Sequence, residues 1–377
     1  PGAPFWHGNG MILFKELEAF IRSELDKAGY QEIATPIVVK KEVFETSGHW
    51  SHFREDMFFW EQDGETYVLK PMNCPESTFV YRAHTRSYKD LPLRFAEIGR
   101  IHRNELSGTL AGLFRVRQIT QDDAHIYCRP DQIQSEILAL LKLVKKIYRL
   151  FGFRPSFYLA TKPDKALGEP KLWKKAERAL KLALDESKLS YDIKPKDGAF
   201  YGPKIDVHIK DALGRDWQLA TIQLDLVMLP ERFQLSYVDE KGKLQKPVVI
   251  HRAIFGSFER FIGILIEHFA GSFPLWLAPV QAEVINVGAG QRNYAAQVTK
   301  LLTQASIRAR LSGEHLTVGK RIREAELQKV PYILVVGEKE KKNRTANVRH
   351  HRKGQLGEQS ISSLIAHLQE EIAKKAR

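Results

Sequence analysis

Apolar positions along 11–28 recur at helical spacing: Leu13, Leu17, Phe20, Ile21 and Leu25 share one face, and Gly29 follows as a C-terminal cap. The pattern predicts an amphipathic helix. Residues 31–40 change to a β-branched-rich run broken by Pro36, a residue that donates nothing to a ladder and belongs at a sheet edge or bulge. Short strands are predicted at 67–70, 93–102 and 114–127, with turn-like stretches and no helical period between them, which points to an antiparallel sheet. Helices over 135–151, closed by Gly152, and over 171–189 come next. Strands return at 204–210, 216–226 and 247–254, the first two joined by a turn at Leu213-Gly214, and a helix over 258–269 closes this part.

Beyond Pro274 and Pro279 the pattern alternates strand with helix: 282–287, 293–305, 307–311, 318–329, 332–336, 346–350 and 361–376. The expected fold is α+β, an antiparallel sheet flanked by helices over 1–276 followed by a smaller α/β domain over 277–377.

Composition narrows the classes. The 377 residues are 43% apolar and 27% charged, a globular balance. The longest uncharged apolar stretches, such as 261–266, are far too short to span a bilayer. The chain opens Pro-Gly-Ala-Pro-Phe, with no basic segment followed by an apolar one, and Cys74 and Cys128 are too few for a disulfide framework, so a cytoplasmic setting is expected. The net charge is +13, and from 279 onward 18 Lys and Arg stand against 9 Glu and no Asp. A basic terminal domain on a nearly balanced body fits a polyanionic partner such as nucleic acid, although a basic surface without such a role has the same composition.

Candidate chemistry gathers in two places. The run 91–105 and the run 114–128 read as two strands and a loop that bring Arg103 and Glu105 opposite Arg115 and Gln121, cations and polar acceptors suited to a phosphorylated ligand. Gly256-Ser-Phe-Glu-Arg260 sets Arg260 at the start of an apolar helix whose preceding backbone can face an anion. Any one of these arginines alone reads equally as half of a surface ion pair.

Together these residues carry a resemblance. The first helix with the Pro36 strand, the strand-loop-strand of 91–128 and the 256–260 segment look like motifs 1, 2 and 3 of class II aminoacyl-tRNA synthetases, in that order. The likeness is closer still to the threonyl-tRNA synthetase family, through Lys-Pro-Met-Asn-Cys-Pro at 70–75, Tyr-Lys-Asp-Leu-Pro-Leu-Arg at 88–94, Thr-Gln-Asp-Asp-Ala-His at 120–125, Gly-Ala-Phe-Tyr-Gly-Pro-Lys at 198–204 and His-Arg-Ala at 251–253. The five motifs stand in the family's order, and the resemblance covers nearly the whole chain.

The resemblance implies a catalytic domain and an anticodon-binding domain that join L-threonine to tRNA(Thr) through a threonyl-adenylate, using ATP and Mg2+. It implies one zinc ion per chain on Cys74, His125 and His251, a sound three-ligand set with an open position for the threonine amino and hydroxyl groups. Read alone, Cys74 is equally a small buried hydrophobe and each histidine a core residue. His125 and Cys128 do not form a clip, because three residues along a strand they face opposite ways. Asp123 would accept a hydrogen bond from threonine, with Gln121 and Tyr201 bordering that pocket. Arg103 is matched to the α-phosphate and carboxylate, Lys204 to the carboxylate side, Arg115 to the γ-phosphate, Arg260 to a guanidinium stacked on adenine and Glu105 to the adenine amino group. His49, in Ser-Gly-His-Trp, matches a histidine suited to act as base in the transfer step, or is a structural loop histidine. Lys329, Glu340 and Arg349 match anticodon-contacting positions, and motif 1 implies a homodimer.

The chain departs from the family pattern at Glu76 and Ser77, where Gly-His is usual, and at Ile119, where an aromatic is usual, so the adenine site is expected to lack one ring. Leu106, Ala111, Glu314, His315 and Lys329 also differ from common choices. The family's amino-terminal editing region has no counterpart in these residues. A ligase for proline or serine conflicts with the complete Cys74, His125 and His251 set. The alternative from another class is a non-catalytic synthetase-like RNA-binding or regulatory protein, a role in which the motif 2 and 3 arginines are typically lost.

Overall fold

A computed structural model of the chain describes residues 1–313 and 316–376, so Glu314 and His315 lie outside the described residues. The described chain divides into two compact units, one of Pro1–Phe5 with Phe20–Ile264 and one of Trp6–Ala19 with Leu265–Arg377. The first helix, Gly8–Lys27, therefore contributes to both, as does the helix Phe258–Phe269. The apolar stripe read from the sequence is buried, with Leu17 and Ile21 fully so.

The first unit is built on an eight-stranded sheet whose order is Gln31–Glu32, Leu93–His102, Gln118–Cys128, Val248–Ala253, Asp216–Asp225, Lys204–Lys210, Ser156–Ala160 and Tyr191–Lys194. It is antiparallel except at its two edges, where Gln31–Glu32 and Tyr191–Lys194 pair in parallel. Val248–Ala253, in the middle of the sheet, is buried along almost its whole length. Helix Ile133–Phe151 shows why such a cover forms: Ile137, Leu140, Leu141, Val144 and Tyr148 line one buried face, and Gly152 at φ 84° takes the left-handed cap the sequence implied.

Several elements differ from the expectation. Pro36 does not merely bulge a strand over 31–40 but separates two: Gln31–Glu32 joins the large sheet, while Val38–Lys40 pairs with Glu65–Leu69 in a separate three-stranded sheet. The strand expected from 114 begins only at Gln118, so Arg103, Glu105 and Arg115 lie on the connection between two strands, not on the strands themselves. Helix Cys74–Arg82 and strands Phe58–Gln62, Ser156–Ala160 and Tyr191–Lys194 had no prediction.

The second unit carries a five-stranded mixed sheet in the order Ala309–Leu311, Ala282–Asn286, Tyr332–Val336, Thr345–His350 and Gly354–Ser360. Its core includes Val284, Val298, Leu302, Leu334, Val348, Leu364 and Leu368, contributed by strands and by helices Arg292–Gln304 and Ile361–Ala373. The alternation expected here is present, with a helix Glu338–Asn343 and the edge strand Gly354–Ser360 in addition. Among the described residues no helix is long and apolar enough to cross a membrane.

Candidate active site

Strand register builds the site. His251 stands directly opposite His125 on one side and Gln223 on the other, and Ala253 stands opposite Asp123. Because strand side chains alternate, Gln121, Asp123 and His125 share a face with His251, Gln223 and Thr221, and all six line one cavity of about 350 Å3. The opposite face has another task. Asp122 is buried and accepts hydrogen bonds from the backbone N–H groups of Ile254, Phe255 and Gly256 at 2.9–3.1 Å. That carboxylate fixes the turn leading into the helix of Arg260. Gly256, at φ 76°, completes the turn, since a Cβ there would lie 2.4 Å from the Leu219 carbonyl oxygen. Glu259 holds the same helix to the sheet by accepting from the Thr120 N–H at 2.9 Å.

One end of the cavity is a donor cluster. Cys74, at the start of helix Cys74–Arg82, meets His125 and His251 with all three ligand atoms within 4.8 Å of one another, each side chain buried. The two rings lie 4.8 Å apart at 83°. Burial pushes the Cys74 thiol well above its ordinary range, with Asp123 and Glu76 adding to it, and holds the His125 imidazole well below its own. His125 Nε2 has no hydrogen-bond partner. A buried lone pair without a donor, beside a thiol and a second imidazole, fits a divalent cation of the zinc type. Asp225, which accepts from the N–H groups of Val227, Met228 and Leu229, lies 3.3 Å from His251 Nε2 and so orients a ligand from behind. Cys128 is buried and lies outside this group.

The other end carries arginines. Arg103 donates to the Pro71 carbonyl at 3.1 Å, and burial lowers its pKa. Arg260 donates to the carbonyls of Phe114 and Gln218 at 2.9 and 3.2 Å, with its guanidinium 5.6 Å from the Trp217 ring. Arg115 pairs with Glu105 at 2.8 Å. Arg103, Glu105, Arg115 and Arg260 all line the cavity, as do Ile119 and Phe114. Phe114, absent from the sequence reading, stacks on Trp217 at 5.0 Å and brings an aromatic ring to a site expected to lack one. Gln218, Thr221, Gln223 and Asp225 were also missed; the alternation of Thr221, Gln223 and Asp225 is the signal that a period-two count supplies, whereas Gln218 is brought to the cavity by the register shift between Gln218 and Ala220, which such a count does not show.

Not every expected residue stands in the cavity. Lys204 is ion-paired to the buried Asp206, which also accepts from Gln218 Nε2, and it is not among the lining residues, unlike Tyr201. His49 is buried beside the cavity wall, hydrogen-bonded through Nδ1 to Ser47 Oγ at 2.7 Å and packed edge-on to Phe200 and Tyr201. Burial depresses its pKa to about 3, so the ring is neutral at physiological pH. In the second unit, Arg349 pairs with Glu326 at 2.7 Å, Glu340 caps its own helix by accepting from the Gly337 N–H, and Lys329 follows helix Val318–Leu327. Nothing in these contacts draws the three into one cluster.

A buried zinc-type donor set and a basic cavity on one face of an antiparallel sheet give the chain class II synthetase architecture. The tRNA synthetase class II core domain family (G, H, P, S and T) matches residues 58–269, and the anticodon binding domain family matches 281–371. The chain is 49% identical over 375 residues to a threonine–tRNA ligase of Carboxydothermus hydrogenoformans, covering 100% of this chain and 59% of that protein. It is 50% identical over 375 residues to one of Syntrophomonas wolfei. A crystal structure described as the RNA binding domain of threonyl-tRNA synthetase from Cryptosporidium parvum superposes with a TM-score of 0.96 at 39% identity, covering 98% of this chain and 93% of that one. The chain belongs to the class II tRNA synthetases, in their threonyl-tRNA synthetase family. It spans about three fifths of the length of the curated relatives it matches.

Proposed function

We propose that the protein joins L-threonine to tRNA(Thr) in two steps, forming a threonyl-adenylate from ATP with Mg2+ and then transferring the threonyl group, with residues 1–276 as catalytic domain and 277–377 as anticodon-binding domain. The observation that carries this reading is the single cavity with a Cys74, His125 and His251 donor set at one end and Arg103, Arg115 and Arg260 at the other. In-line attack of a carboxylate on the α-phosphorus needs two anions held together and their charge neutralised; it needs no base. Arg103 is the cation for both anions at the point of attack, Arg115 for the outer phosphates and Arg260 for the adenine face, with Glu105 as acceptor for the adenine amino group. Lys204 reaches the carboxylate side by leaving Asp206.

Cys74, His125 and His251 would hold zinc, which supplies a Lewis-acid site for an amino and a hydroxyl group. Asp123 and Gln121 border that site and Tyr201 closes it, hydrogen-bonded to Gln223 at 3.0 Å. Valine, lacking the hydroxyl, is then rejected strongly, and serine, which keeps both groups, only weakly. In the transfer step His49 is the candidate proton acceptor, but the burial that depresses its pKa to about 3 makes it a poor base and favours the structural alternative; Lys329, Glu340 and Arg349 serve the anticodon arm. A homodimer through the first helix and the Pro36 segment, and a cytoplasmic setting, complete the reading. The test is threonine-dependent pyrophosphate exchange by the purified chain together with its zinc content. Exchange with threonine and about one zinc per chain are expected; full activity without metal overturns the zinc assignment, and no exchange with threonine overturns the substrate.

A further inference from the structure

Asn73 immediately precedes Cys74, and its side chain is wholly buried. Its Nδ2 donates to Asp123 Oδ2 at 3.0 Å, and this hydrogen bond opposes the rise in the Asp123 pKa that burial causes. The amide is seated on Gly99. A Cβ at position 99 would stand 2.3 Å from Asn73 Oδ1 and 2.7 Å from both Cγ and Nδ2, closer than real atoms approach. Gly99 lies inside strand Leu93–His102, directly opposite Gln121, and its φ is not in the left-handed region. A strand interior ordinarily disfavours glycine, so the residue is needed here for space and not for backbone conformation. Asn73 Oδ1 has no hydrogen-bond partner although it is buried. Two unfavourable features, a glycine within a central strand and an orphaned amide oxygen, thus surround one favourable contact, the donor presented to Asp123.

We infer that Asn73 and Gly99 are a positioning pair for Asp123: the missing Cβ admits the amide, the amide pins one carboxylate oxygen, and the carboxylate is thereby set to recognise the hydroxyl of the amino-acid substrate. The inference rests on the proposed function, because it needs a hydroxylated substrate at Asp123. It makes Gly99, which touches no substrate, a determinant of amino-acid selectivity acting entirely through Asn73.

A double-mutant cycle tests it. Gly99→Ala, Asn73→Ala and the double variant are compared with the unmodified chain by pyrophosphate exchange, reading KM for threonine and for ATP, the threonine-to-valine ratio, which each single change should lower, and bound zinc. Each single change is expected to raise the threonine KM about 10- to 100-fold, the range for loss of a residue that orients another ligand group. ATP KM stays within about twofold and zinc stays bound, because the arginine end and the three donors are untouched. In the Asn73→Ala background, Gly99→Ala should add less than about threefold, since the group it displaces is gone. Asn73→Asp preserves the shape against Gly99 but turns the donor into a second carboxylate, and it too should lose threonine affinity with its melting transition retained. Additive effects in the cycle, parallel losses for ATP or zinc, or an Asn73→Asp variant with the original threonine KM would each overturn the pair. An unmodified chain that does not activate threonine would sink this inference together with the proposed function, an outcome distinct from an active chain without coupling.

Discussion

In the first unit the groups with chemistry stand away from water: Cys74, His125 and His251 are each less than a tenth exposed, and burial heads the causes that raise the thiol and lower His125. In the second unit charges meet nearer the surface, as in Arg349 with Glu326 and Lys339 with Glu358. Coulombic interactions are strong and unscreened in the first setting, and removing one member leaves the rest uncompensated. In the second they are screened by salt, and each is worth little alone. The two units therefore hold their polar groups differently, by fixed buried geometry in one place and by screened surface pairs in the other.

The sharpest way to break the contrast is Cys74→Ala. It should remove bound zinc and lower threonine activation by about 10³-fold or more, while a melting transition persists, checked by metal analysis and pyrophosphate exchange. Arg260→Ala should come next, raising the ATP KM and lowering kcat by about 10²-fold in total with zinc content unchanged, because it removes a guanidinium held by two carbonyls and faced by no ion-pair partner among the described residues. Asp225→Asn should weaken zinc binding about 10- to 100-fold through His251, measured by chelator competition.

A pH experiment separates the two settings differently. His49 falls from an ordinary 6.5 to about 3 on folding, so between those values the unfolded chain binds more protons and stability decreases as pH falls. His49→Gln should flatten that dependence by up to about 1.4 kcal/mol per pH unit, read from denaturant midpoints between pH 6 and 4. The smallest effects belong to the second unit. Arg349→Ala or Lys329→Ala should each reduce the slope of log tRNA affinity against log salt by about 1, with threonine activation unaffected.

Much of this was legible along the chain. The helix at 258–269 coincides with Phe258–Phe269, since an apolar period of 3.6 and a preceding glycine turn are local signals. The strand expected over 114–127 sets Gln121, Asp123 and His125 at every second position, and in the structure they line one cavity. Other elements were illegible for identifiable reasons. Strands Ser156–Ala160 and Tyr191–Lys194 are short and pair in parallel at the far edge of the sheet, so no hairpin turn marks them. Helix Cys74–Arg82 is nine residues with a Pro at its start and a weak apolar stripe, too brief for periodicity to declare it. Lys204 looks free in the sequence because its partner Asp206, two positions on, shares its strand face, a proximity with meaning only once a strand forms.

Periodicity, caps and motif order thus determined by themselves most of the longer elements, the class of fold and the kinds of side chain at the site, because each is set by neighbours within a few residues. Tertiary structure alone decided that Cys74 and His251, nearly half the chain apart, converge on His125, that Asp122 turns away from Asp123 to hold the Arg260 helix, and that Gly99 makes room for Asn73. Those facts depend on strand register and on close packing between segments remote in sequence. A one-residue slip in pairing would turn Asp122, Asp123, His125 and His251 to the opposite face.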